Sequence, residues 1–133
     1  MAKIKTILYC EDDPVALMAY HSQLQQAGYH VVTAQDGLEA MKKLSLFVPD
    51  LVVIDLMMPK FNGEEVLHFI CQHEHLAKVP LVILSSNSVL DVTTEHFLER
   101  ADKRLLKDFC TPAILLETIH ELFNGQLQET PAR

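Results

Sequence analysis

The sequence lacks any apolar run approaching the ~18 residues that a membrane span requires. Its first residues, Met1 to Thr6, include Lys3 and Lys5 but no small-residue cleavage site, so no export signal is expected. A soluble, cytoplasmic protein follows as the expectation. The 3 cysteines, Cys10, Cys71 and Cys110, are odd in number and scattered, without C-x-x-C spacing. That pattern argues against a disulfide framework and against a zinc site, and for reduced thiols. Basic residues are also few: 11 Lys and Arg face 18 Asp and Glu, for a formal net charge of -7. This is the wrong sign for neutralising a phosphate backbone, so direct nucleic-acid binding is not expected.

What is present is enough for one domain with a real core: 133 residues, 49% of them hydrophobic. The apolar run Ile4 to Cys10 stops at Glu11-Asp12-Asp13-Pro14, which reads as a buried strand followed by a helix start, with Asp13 as cap and Pro14 at the first helical position. Val15, Leu17, Met18, Leu24 and Ala27 recur at roughly helical spacing, and Gly28 stops the helix before a strand at His30 to Ala34. Asp36-Gly37 opens a helix through about Phe47. Leu51 to Ile54 then forms a continuously apolar strand ending at Asp55.

A helix from Gly63 to about His73, a strand Leu81 to Leu84 breaking at Ser85, a helix near Val89 to Arg100, a short strand near Arg104 to Leu106 and a last helix from Pro112 to about Phe123 complete the alternation. Five β/α repeats with strands apolar on both faces predict an α/β fold, a five-stranded parallel sheet with helices on both faces. Residues 1–124 are expected to form this domain. Residues 125–133 are expected to be a polar C-terminal tail or linker stub.

In such sheets ligands bind beyond the carboxyl ends of the strands, where strand order reverses. The first strand delivers Glu11 and Asp12 there, the third Asp55, the fourth Ser85 and the fifth Lys107. Clustered carboxylates suit Mg2+, which takes a couple of them and keeps other positions for water and phosphate oxygens. Asp55 would serve as oxygen nucleophile, while Lys107 and Ser85 stabilise charge on the transferred group. Ser86 and Ser88 remain alternatives to Ser85. Taken locally, Glu11 to Asp13 also read as the acidic start of a helix, and Ser85 as the cap of the helix that follows it.

Glu11-Asp12 after the first strand, Asp55-Leu56-Met57-Met58-Pro59 with Gly63 following, Ser85 and Lys107 together resemble the receiver domains of two-component response regulators, including the stand-alone chemotaxis type. The likeness covers nearly the whole chain. It implies the flavodoxin-like (βα)5 strand order 2-1-3-4-5. By the same likeness, Asp55 is the phosphoacceptor, Asp12 the direct Mg2+ ligand, Glu11 a metal-water partner and the Met57 backbone carbonyl a further ligand. A histidine kinase or histidine phosphotransfer protein would supply the phosphoryl group. An unknown output protein would read the face made by the 89–100 helix, the fifth strand and the last helix. Monomer, or a weak dimer through that same face, is expected, as is a switch and not an enzyme.

Two positions depart from the family. Lys107-Asp108 replaces the usual Lys-Pro, commonly cis; a cis bond before Asp would cost ~2.5–4 kcal/mol, so trans is expected. Arg104 stands where a Tyr or Phe is general, and its charge is costly to bury, which predicts a surface position and a partner contact. These departures leave an alternative, a receiver-like interaction module that works without phosphorylation. A phosphatase is disfavoured because position 57 is Met and not a second Asp. The Met57 side chain is instead expected to border the phosphoryl group and slow its loss to water.

Overall fold

Each strand carries apolar residues at odd and even positions, and because successive side chains point to opposite faces, the sheet has two faces to cover. The computed structural model describes residues 3–56, 63–85 and 100–132. Over them the chain runs β1 (Thr6–Cys10), α1 (Pro14–Gln26), β2 (His30–Ala34), α2 (Gly37–Leu46), β3 (Leu51–Asp55), α3 (Gly63–Gln72), a 3-10 turn (Glu74–Leu76), β4 (Leu81–Ser85), β5 (Lys103–Leu106), a second 3-10 turn (Lys107–Phe109) and α4 (Pro112–Ala132). The strands are all parallel, in the order β2-β1-β3-β4-β5, as expected. The helix expected near Val89 lies outside the described residues, apart from Arg100, which sits in a turn.

One core face joins Leu8, Cys10, Val52, Ile54, Leu81 and Ile83 to Ala40 and Leu44 of α2 and Val66, Leu67 and Ile70 of α3. The other joins Ile7, Tyr9, Leu51, Val53, Val82 and Leu84 to Leu17 and Leu24 of α1 and Leu115, Ile119 and Phe123 of α4. The chain steps outward from β1 to β2, then jumps back past β1 to β3. Crossovers of one hand place α1 and α2 on opposite faces when the direction reverses. A crevice therefore opens beyond the C-terminal ends of β1 and β3.

Local chemistry sets the helix ends. Asp13 Oδ1 accepts from Val15 N at 3.1 Å with Pro14 behind it, and Asp36 Oδ1 accepts from Glu39 N at 2.8 Å. Gly28 ends α1 at φ +102°, a conformation costly for any residue with a Cβ.

Two expectations shift. Val15 and Met18 are exposed, not part of the α1 core face. At about 100° per residue, Leu17 and Leu24 fall on one line while Val15 points nearly opposite. The segment from Gly125, expected as a polar tail, continues α4 to Ala132. Gln, Leu and Glu in that stretch are good helix formers, which offsets the interior Gly125, and Pro131 stands in the last turn, next to the residue where the helix ends.

The N-terminal ends of the strands are fastened by two matching clasps. Thr6 N donates to Asp50 Oδ2 at 2.7 Å while Asp50 N donates to Thr6 O at 2.8 Å. Leu81 N donates to Asp102 Oδ2 at 2.8 Å while Asp102 N donates to Leu81 O at 2.8 Å. Arg100 adds bonds to the Leu76 and Val79 carbonyls at 3.1 and 2.6 Å.

Candidate phosphoacceptor and metal site

At the opposite end of the sheet, Glu11 prolongs the ladder of β1, its N–H donating to Ala34 O of β2 at 2.9 Å. That bond fixes Glu11 as the last strand-like residue and turns Asp12 into the crevice mouth. Glu11 and Asp55 are both 0% exposed, and Asp12 is half-buried. One carboxylate oxygen from each of Glu11, Asp12 and Asp55 lies within 4.8 Å of the others. Groups from two strands and separated by up to 44 positions thus face one small volume.

Lys107 closes the site from the turn after β5. Its Nζ is 3.3 Å from Glu11 Oε2 and makes a hydrogen-bonded ion pair with Asp55 Oδ2. The peptide chain through Lys107 and Asp108 is trans, as expected: no cis bond occurs among the described residues. Ser85 is the last residue of β4, 8% exposed, one step beyond the pair Asp55 and Leu84. Arg104 pairs with Ile83 in the sheet and its side chain is exposed, as the cost of burying its charge requires. Met57, and the alternative hydroxyls Ser86 and Ser88, lie outside the described residues.

Among the described residues, three carboxylates face one ammonium at this corner. Burial, and then the charge of Asp55, push the Glu11 carboxyl up to about 7, although the Asp13 N–H and Lys107 pull the other way. Burial by itself would lower the Lys107 ammonium, but its hydrogen bond to Asp55 and the charges of Asp55 and Glu11 outweigh this and raise it. Convergent carboxylate oxygens, two of them fully buried, are the donor set a hard divalent cation prefers, so the residues fit Mg2+. Among the described residues, Glu11, Asp12 and Asp55 are the side chains able to hold it.

The sequence reading missed how Glu11 is held. Tyr9 OH donates to Glu11 Oε1 at 3.4 Å and Asp13 N donates to Glu11 Oε2 at 3.2 Å. Burial and the nearby Glu11 charge raise the Tyr9 hydroxyl well above its ordinary range, so it stays a donor. A signal existed: Tyr9 stands two positions before Glu11, on the same strand face.

The family model for the response regulator receiver domain matches residues 7–120. The alkaline phosphatase synthesis transcriptional regulatory protein PhoP of Bacillus subtilis is 37% identical over 82 residues, which are 62% of this chain and 33% of the relative. The chain spans less than half the length of the curated relatives it first matches. Among solved structures, a CheY-like receiver domain protein from Methanospirillum hungatei superposes with a TM-score of 0.81 at 25% identity, covering 96% of this chain and 99% of the other. The response regulator TrrA of Thermotoga maritima, solved in complex with Mg(2+)-BeF, gives 0.75 at 29% identity, covering 90% and 99%.

Proposed function

Because this chain belongs to the response regulator receiver domain family, we propose that Asp55 is the residue at which it accepts a phosphoryl group in two-component signalling, with Mg2+ held by Glu11, Asp12 and Asp55. The observation that carries this reading is the meeting of those three carboxylates within 4.8 Å, with the Lys107 ammonium bridging Asp55 and Glu11. An isolated turn carboxylate needs no such company.

The chemistry is an in-line displacement. An Asp55 oxygen attacks the phosphorus of a phosphohistidine on a histidine kinase or phosphotransfer protein; the O–P bond forms as the N–P bond breaks, and the imidazole nitrogen keeps the electron pair. Bound Mg2+ supplies positive charge to the phosphoryl oxygens and makes the acidic pocket tolerable to an anionic donor. Lys107, already placed against Asp55, meets the charge that arrives there, and the Ser85 hydroxyl donates to another phosphoryl oxygen. By the family likeness the Met57 carbonyl would be a further ligand for the metal and the Met57 side chain would limit attacking water, although residue 57 lies outside the described residues.

The chain works stoichiometrically, as a cytoplasmic switch and not a turnover enzyme, and acts as a monomer or a weak dimer. Its output partner reads the surface around β5 and α4, where exposed Arg104 offers a charged contact, and DNA is not contacted directly. Two states differing in partner affinity are what carries the signal. Incubation with acetyl phosphate and Mg2+, followed by intact mass measurement, tests the reading. It expects one added phosphoryl group, absent with chelator and absent in Asp55→Ala; a gain that persists in Asp55→Ala overturns it.

A further inference from the structure

Lys107 must reach two carboxylates from a loop that contains no proline between Leu106 and Thr111 to fix its backbone. What holds that loop comes from α1. Cys110 N closes the 3-10 turn on Lys107 O at 3.3 Å, and the carbonyl of the same Cys110 accepts a hydrogen bond of 2.8 Å from the Tyr20 hydroxyl, 90 positions away. Immediately after, Thr111 Oγ1 accepts from Ile114 N at 3.2 Å and starts α4. The Tyr20 ring packs on Tyr9 with centroids 5.5 Å apart, and Tyr9 is the residue whose hydroxyl reaches Glu11. The two tyrosines therefore link both members of the Lys107–Glu11 ion pair from beneath. Tyr20 is half-buried and packs on the core around α1 and α4, a role a Leu or Phe would fill as well, whereas its hydroxyl is directed to the Cys110 carbonyl.

We propose that Tyr20 is a positioning residue for the phosphoacceptor site: its hydroxyl anchors the Cys110 carbonyl and thereby holds Lys107 against Asp55 and Glu11. The inference deepens the reading of Asp55 given above and rests on it for its functional consequence, though not for its geometric one. Tyr20→Phe removes only the hydroxyl and keeps the ring in its packing with Tyr9, so the fold is retained.

Two readouts on the full chain test this. In protein labelled at lysine, the Lys107 side-chain NMR signal should move in Tyr20→Phe toward that of an exposed lysine. The rate of phosphoryl gain from acetyl phosphate and Mg2+ should fall about fivefold, the equivalent of one ordinary hydrogen bond. In a Lys107→Ala background the same substitution should change the rate by less than about 1.5-fold, because the two residues act through one contact. A Lys107 signal unmoved by Tyr20→Phe, or an equal rate loss in both backgrounds, overturns the inference. If the unaltered chain gains no phosphoryl group, the Asp55 reading fails, and the Lys107 signal still decides whether Tyr20 positions that lysine.

Discussion

The two ends of the same sheet use the same side chain to opposite effect. At the N-terminal ends of the strands, Asp50 and Asp102 each sit just before a strand and trade two hydrogen bonds with the first residue of a neighbouring strand, Thr6 or Leu81. Arg100 lies 3.5 Å from the Asp102 carboxylate, so that charge is partnered as well. At the C-terminal ends, Glu11, Asp12 and Asp55 converge with Lys107 as the counter-charge among the described residues. One set spends its charge on holding strands in register, while in the other three carboxylates share one ammonium among the described residues. A carboxylate that closes a backbone clasp between two strands is structural, and one that converges with other carboxylates is available for chemistry, even where, as at Glu11, a backbone donor also meets it.

The contrast can be broken in order of expected effect. Lys107→Ala should slow phosphoryl gain by on the order of 100-fold, the usual cost of removing one preorganised charge stabiliser. No comparable rate change should follow Asp102→Ala, and rates from acetyl phosphate for the two variants check the pair. Next, Mg2+ at about 100 times its dissociation constant should stabilise the chain by about 2.7 kcal/mol, read from urea unfolding, and Asp12→Ala should remove most of that gain. Asp102→Ala leaves the buried Leu81 N–H without its acceptor and should cost about 1–3 kcal/mol with or without Mg2+.

The last effect is a pH slope. Glu11 holds its proton to about 7 when folded, against an ordinary value of 4.5. Between those values the folded chain binds more protons than the unfolded one, so metal-free stability should fall as pH rises through that window. Glu11→Gln should flatten this decline, which unfolding at a series of pH values would show. Asp50→Asn, at the other end, should leave the slope in place.

Much of the contrast was legible in the residues themselves. The strands followed from apolar runs ending at turn residues, their order in the sheet came from the family resemblance, and Glu11, Asp12, Asp55 and Lys107 stood out because each follows or ends a strand on the ligand-binding side. Long-range fastenings were not legible: nothing near Tyr20 points to Cys110, and nothing near Arg100 points to the Leu76 and Val79 carbonyls. Such bonds depend on packing between elements distant in sequence. The end of α4 was not legible because the stretch after Phe123 is polar and contains Pro131, although the cost of about 1 kcal/mol for Gly125 is small beside the good helix formers that follow.

The most direct measurement is a crystal structure with Mn2+ in place of Mg2+ and with beryllofluoride added. A single cation touching carboxylate oxygens of both Asp12 and Asp55, with the fluoride adduct on Asp55 and Lys107 Nζ against a fluorine, is the expected result. A cation bound away from these carboxylates, or an adduct on another side chain, would contradict it.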